Sequence, residues 1–434
     1  MIEATLQAGG LTHRETNKKA TAGSIVAICF GNLLEFYDLT VFGFFTPIIG
    51  KLFFPSGDET VQILYAVGVF GVGYVMRPVG GVVIGRYADK YGRKAGMTLC
   101  FALMALGTAI IGFCPTVAQV GIWAPVMLVA AKLIQGFSAG GEVGSAGAML
   151  AEYSDNNTRG FYTSWLLAGQ SAAVVLGAGT GVILSSSLST ESLESWGWRI
   201  PFLLGILIGP LGIYVRKRLA ETSPHESGEK HAVGLRELFG SHGGLILRGV
   251  VLVIAGTVCN YVVQLYIATY AMRTLHLPTS TALVAAFTGG VVGLISAPLC
   301  GLLSDRFGRR ATIFWGRVGC IVAVVPLFQW LIGSPSIAVL MTLMLVMVPL
   351  IWLHSVSVIT VIAEMFSKPL RATGVGVIYS VGVSIFGGLT QPLAVWLAKS
   401  MNTPLVPAYM VIAACAISTL GLIGMKEYAG KSID

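Results

Sequence analysis

The chain predicts an all-α membrane protein with twelve transmembrane helices in two six-helix halves, and three observations carry that class. Composition is the first: of 434 residues 55% are hydrophobic and only 11% charged, against the roughly 25% charged expected of a soluble domain, and mean hydropathy is +0.78. The second is a series of apolar runs long enough to cross a bilayer. The third is an internal repeat. G-R-Y-A-D-K-Y-G-R-K at 85–94 returns as G-L-L-S-D-R-F-G-R-R at 301–310, an offset of 216 (85 to 301), and the pair Glu152 and Arg159 returns as Glu364 and Arg371, an offset of 212 (152 to 364). Two independent offsets that agree within a few residues mark a duplication.

Residues 1–21 are polar, carry His13, Arg14, Lys18 and Lys19, and show no cleavable apolar core, so they are expected to stay as a cytoplasmic tail. The first half, 22–215, has apolar runs near 22–50, 61–86, 95–114, 121–150, 161–187 and 197–215. Glycines mark where its helices are expected to approach closely: Gly68, Gly71 and Gly73 in the second span, Gly140, Gly141 and Gly144 in the fourth. Residues 216–244 open with R-K-R-L-A-E-T-S-P-H and read as a charged cytoplasmic linker, with a short amphipathic helix expected around 235–239. The second half, 245–425, repeats the pattern near 245–272, 281–303, 311–332, 337–362, 374–398 and 405–425, and 426–434 is a second short tail.

Basic residues orient this topology. Of 28 Lys and Arg, only Lys51, Arg199, Arg273 and Lys399 fall on the expected outer side, and only Arg77, Lys132 and Arg317 fall inside spans. The remainder share one side, which the positive-inside rule makes cytoplasmic, with both termini there. The formal charge of +8 is therefore topology and contact with anionic lipid rather than a nucleic-acid footprint. No phosphate-binding loop, dinucleotide fingerprint or nucleophile elbow stands in a strand-to-helix context, so the chain is not expected to be an enzyme or to hold a cofactor. Cys29, Cys100, Cys114, Cys259, Cys300, Cys320 and Cys415 lack metal-ligand spacing, read as small core hydrophobes, and give no expectation of a metal.

Charges within spans are costly and invite functional readings. Glu35 and Asp38 in the first span are one turn apart and project from a similar face, which Asn32 extends. Two carboxylates so placed suit a site that takes and releases a proton; the alternative is structural pairing with Arg77 or Lys132. Lys132, in the middle of the fourth span, is either an anchor for an anionic solute or a charge partner of Asp38 or Glu35. Arg77, beside Pro78, reads as a pivot, and Arg317 as a snorkelling or paired structural residue.

More specific strings accompany the paired loop motif: G-N-L-L-E-F-Y-D at 31–38, M-R-P-V-G at 76–80, Q-G-F-S-A-G-G-E at 135–142, G-F-Y-T-S-W at 160–165, W-G-W-R-I-P-F at 196–202 and F-G-G-L-T at 386–390. Together they resemble the metabolite:proton symporters of the major facilitator superfamily, over about 25 to 425, and within them the citrate and tricarballylate branch. Lys132 stands where relatives carry Arg, Leu166 replaces a branch Gln, and G-G-E follows the broader family. The resemblance implies proton-driven import of a small organic anion such as a di- or tricarboxylate through a bacterial inner membrane, by a monomer whose coupling ion is the proton. A zwitterionic osmolyte symporter, a drug/proton antiporter and a transport-deficient sensor stay open as alternatives.

Under that resemblance, Glu35 and Asp38 are the proton-coupling candidates. Asn32, Tyr37, Lys132, Gln135, Gln170, Asn260, Tyr261, Gln264, His354 and Gln391 are the candidates for the solute. Arg77, Asp89, Arg93, Glu142, Glu152 and Arg159, with Asp305, Arg309, Glu364 and Arg371, are expected to gate, the repeated acid/base sets latching the cytoplasmic ends.

Overall fold

The computed structural model describes residues 22–91, 93–140, 142–206 and 235–432, and every regular element among them is helical. The expected N-terminal tail, most of the linker and the end of the sixth span lie outside the described residues. Apolar runs become helices here because a backbone in hydrocarbon must satisfy its own N–H and C=O groups.

The first half contains α1 (Ala22–Phe53), α2 (Glu59–Val75), α3 (Arg77–Tyr91), α4 (Arg93–Phe113), α5 (Trp123–Ala139), α6 (Val143–Glu152) and α7 (Arg159–Ser187), then a helix that enters at residue 200. The second half contains α8 (Leu235–Asn260), α9 (Ile267–Arg273), α10 (Thr279–Phe307), α11 (Arg309–Gly333), α12 (Ile337–Glu364), α13 (Lys368–Gly382), α14 (Gly388–Met401) and α15 (Val406–Thr419). Some consecutive helices share one span, so among the described residues these elements make eleven of the twelve spans and the start of the sixth.

Four expected spans are interrupted. The second breaks at Met76, between α2 and α3: Pro78 has no N–H to offer Tyr74, and the Met76 N–H bonds to Gly73 instead. The fourth breaks after Gly140, between α5 and α6. The seventh and eleventh each contain one wide π turn, Tyr261–Tyr266 between α8 and α9, and Val383–Gly387 between α13 and α14. Such turns re-aim consecutive side chains within a span and recur at functional sites. Residues 235–239 are the first turn of α8 rather than a separate helix.

The halves meet where small residues let backbones touch. Between α7 and α10, a Cβ at Gly301 would lie 2.6 Å from the Gly160 carbonyl, and one at Gly290 would lie 2.9 Å from the Val175 nitrogen. Between α2 and α14, a Cβ at Gly71 would lie 2.6 Å from the Gly388 carbonyl. Any larger side chain at these positions would push the two halves apart.

Candidate functional site

The repeated loop motif marks one end of the bundle, the motif end, and there the two halves are bound by charge. Asp305 at the end of α10 accepts the Gly160 N–H at 2.8 Å and the Phe161 N–H at 2.9 Å, capping the first turn of α7 in the other half. Arg309 donates to Asp305 at 2.8 Å and to Glu364 at 3.1 Å, and Arg159 of the first half reaches the same Glu364 oxygen at 3.0 Å. Arg371 approaches Glu152 at 3.5 Å. The motif residues of the second half and both Glu/Arg sets thus pair across the halves at this end. The side chains of Asp89 and Arg93 lie outside the described residues. Glu142 is buried at the break between α5 and α6.

The C-terminal segment joins this network and was not foreseen. Glu427 accepts backbone N–H groups from Arg309 at 2.9 Å and Arg310 at 3.0 Å, capping α11, and the Lys431 carbonyl lies 3.4 Å from Arg159. Burial alone would raise the Glu427 carboxyl, but four backbone donors outweigh it and hold it below the ordinary range.

The opposite end is closed as well. Lys399 on α14 meets Asp58 at 2.6 Å, just before α2; Arg273 pairs with Glu59; and Thr269 donates to the Gly43 carbonyl at 3.5 Å. The Lys399 contact, helped by the Thr60 backbone N–H, holds the Asp58 carboxyl below its usual value. Contacts between the two halves are thus present at both ends.

Between the ends lies a cavity of about 60 Å³ at the junction of the halves. Asn32, Phe36, Arg77, Leu166, Leu167 and Gln170 line it from the first half. The second half contributes Val253, Gly256, Thr257, Asn260, Tyr261, Trp352, Ser355, Val358, Ile359, Tyr379 and Val383. Among the described residues, Arg77 is the one charged residue of this lining. Its guanidinium pairs with Glu35 and lies 4.4 Å from the centre of the Tyr74 ring, while the Tyr74 hydroxyl bonds to that of Tyr261 across the halves. Asn32 donates to the Leu166 carbonyl at 3.0 Å, and the Asn260 side-chain oxygen accepts from Gln264 at 2.8 Å.

A second, smaller void of about 20 Å³ lies inside the first half, against Glu35, Asp38, Tyr74, Arg77, Lys132 and Gln135. Here Lys132 donates to Asp38 at 2.9 Å and sits 4.1 Å from the centre of the Phe42 ring. Thr108 donates to the other Asp38 oxygen at 2.9 Å, and Gln135 to Thr108 at 3.0 Å. Both carboxylates of the first span are therefore ion-paired within their own half, and Arg77, bordering both voids, connects them to the central cavity.

Four of the expected solute contacts, Asn32, Gln170, Asn260 and Tyr261, do line the central cavity. Others do not. Lys132 and Gln135 face the Asp38 void, and Tyr37 turns to the Pro201 carbonyl at 2.8 Å. Gln264 bonds back to Asn260, and Gln391 is buried beside Gly43. His354 is fully buried and outside the lining, although its neighbours Trp352 and Ser355 belong to it. Successive residues of a helix point about 100° apart, so adjacent positions need not share a face. Arg317 does not snorkel: it is fully buried and donates to the Ser418 carbonyl at 2.7 Å and the Leu252 carbonyl at 3.0 Å. Thr108, Tyr74, Trp352 and Tyr379 were not singled out from sequence. Tyr74, one turn before Arg77, was the most discoverable of them.

Comparison with known proteins follows the same lines. A model of the Major Facilitator Superfamily matches residues 28–390. The chain is 34% identical to a proline/betaine transporter of Salmonella typhimurium, over 94% of this chain and 84% of that one. It is 31% identical to a citrate-proton symporter of Klebsiella pneumoniae, over 90% and 88%, and 33% identical to an alpha-ketoglutarate permease of Escherichia coli, over 91% of each. Among solved structures, the xylose transporter XylE from E. coli in a partially occluded inward open conformation superposes with a TM-score of 0.75 at 18% identity, covering 94% of this chain and 99% of that one.

Proposed function

This chain belongs to the Major Facilitator Superfamily, and from that premise we propose that it is a proton-coupled symporter that imports a small organic acid by alternating access, with the motif end and both termini in the cytoplasm. The observation that carries this reading is Arg77. It is the one charged residue lining the central cavity, and its partner is Glu35. A carboxylate solute and the Glu35 carboxylate compete for the same guanidinium. Protonation of Glu35 releases Arg77 to the solute, so proton and anion load together, and one solute carboxylate loaded in this way adds no net buried charge. Asp38, held by Lys132 and Thr108, is the second proton-coupling candidate.

A single cavity cation suits a solute with one or two carboxylates better than a citrate trianion, which would bring three charges against one. A zwitterionic osmolyte is the second reading, and a specific feature favours it: Phe36, Tyr261, Trp352 and Tyr379 give the cavity an aromatic wall of the kind that holds quaternary ammonium groups. The relatives include transporters named for either solute class.

Counterflow in proteoliposomes with mono-, di- and tricarboxylates, proline and glycine betaine separates these readings. Exchange confined to mono- and dicarboxylates supports the first, exchange confined to proline and glycine betaine the second, and exchange of neither removes both.

A further inference from the structure

We propose that the second half carries a buried metal site for Zn²⁺, formed by the thiolates of Cys259, Cys320 and Cys415 and the imidazole of His354, with Arg317 balancing its charge. The four donors come from four helices, α8, α11, α15 and α12, and all are fully buried. A ring nitrogen of His354 and the sulfurs of Cys259 and Cys415 lie within 4.8 Å of one another. Cys320 lies outside that 4.8 Å group but close enough to both sulfurs to act on their charge.

Geometry supports the metal over a merely apolar thiol cluster. The Cys259 and Cys415 sulfurs are 3.6 Å apart. A tetrahedral zinc with Zn–S bonds of about 2.3 Å sets its sulfurs about 3.8 Å apart, so the pair needs almost no movement. His354 Nε2 and Arg317 Nε are buried without a hydrogen-bond partner, whereas buried polar atoms are ordinarily satisfied. His354 thus keeps a ring nitrogen free to ligate, and Arg317 keeps a donor with no partner.

Charge supplies the second argument. Arg317 is fully buried, and no salt bridge joins it to a carboxylate among the described residues. Cys415, Cys259 and Cys320, together with His354, are near enough to interact with its charge. Binding replaces three thiol protons, released to solvent, with one Zn²⁺. Three thiolates and Zn²⁺ leave one negative charge, which Arg317 cancels. Because protons are released, affinity falls as pH falls.

Position gives the site a consequence. Cys259 is followed by Asn260 of the cavity lining and by the π turn whose Tyr261 touches Tyr74 of the other half. A metal tying α8 to α11, α12 and α15 would hold this part of the second half rigid, so Zn²⁺ is expected to slow transport.

The test uses the whole purified chain in detergent with a non-thiol reductant. After Zn²⁺ loading and desalting, the wild type should retain one metal per chain, and Co²⁺ in its place should give the sulfur-to-cobalt charge-transfer absorption of thiolate ligation. Cys415→Ser, monodisperse by gel filtration, should bind at least about 10-fold more weakly and lose that absorption. Cys415→His, which restores a donor, should recover Zn²⁺ binding; a surface site would ignore all these changes. If Cys415→Ser does not fold, Cys320→Ser serves the same comparison. Wild type with all thiols reduced that retains no Zn²⁺, or a folded Cys→Ser variant of undiminished affinity, overturns the proposal.

Discussion

Asp305 and Gly160 belong to different halves, yet the Asp305 carboxylate accepts the Gly160 N–H at 2.8 Å and, through its other oxygen, the Phe161 N–H at 2.9 Å. An anion thus sits on the N-terminus of a helix it is not part of, where the helix dipole and unpaired N–H groups favour it. The contact joins the two halves at the motif end, so any state in which they part there must break it.

Asp305→Asn keeps the shape and removes the charge. The closed motif end should lose about 0.5–2 kcal/mol, by analogy with helix caps. Thiol labelling of a Thr163→Cys reporter, buried at this end, should then rise by about 2- to 30-fold. Unchanged labelling with wild-type transport would show that the cap does not hold the gate.

Lys132 and Asp38 form a buried pair at 2.9 Å. Removing either partner leaves a lone buried charge, so Lys132→Gln and Asp38→Asn should each destabilise the protein by about 3–5 kcal/mol. Combining them should recover much of the loss. Thermal unfolding in detergent reads this cycle, and additive losses would mean the two residues do not act as a pair.

Arg77→Gln should weaken binding of the best carboxylate by about 10- to 150-fold, the worth of a charge-assisted hydrogen bond of about 1.5–3 kcal/mol. Arg77→Lys should keep part of the affinity, since the charge survives without the planar fork. Equilibrium binding in detergent decides. Full affinity in a folded Arg77→Gln protein would take the solute away from this arginine.

Glu427 gives a pH prediction with a definite sign. Its folded carboxyl lies below the ordinary value of 4.5, so its stabilisation is complete above that value and is lost as pH falls through the depressed folded value. Because Glu427 is half-exposed, Glu427→Gln should cost no more than about 1 kcal/mol at neutral pH. The wild type should lose its advantage in unfolding temperature only in strong acid. An advantage that grows on acidification would refute the capping role.

Much of this architecture is legible in sequence because hydropathy and the repeat speak directly of spans and halves. The Glu152, Arg159, Glu364 and Arg371 sets were readable because they recur at matching offsets, and the structure joins them across the halves. Facing was harder to read. Lys132 can be read from sequence either as the cavity cation or as a charge partner of Asp38, and Arg77 as a pivot; in the structure Arg77 borders the cavity and Lys132 pairs with Asp38. Cys259, Cys320 and Cys415 show no ligand spacing because three separate helices bring them together. Glu427 sits in a short tail where nothing in the sequence signals a cap for a helix that starts more than a hundred residues earlier.

The most direct test of proton-coupled symport through the Glu35 and Asp38 carboxylates is a paired measurement in proteoliposomes, with labelled solute uptake and internal pH followed together. Wild type should acidify the lumen as solute enters and accumulate solute when an inward proton gradient is imposed. At least one of Glu35→Gln and Asp38→Asn should lose that accumulation while keeping solute exchange. Solute entry with no proton movement, or full gradient-driven accumulation by both variants, would contradict the account.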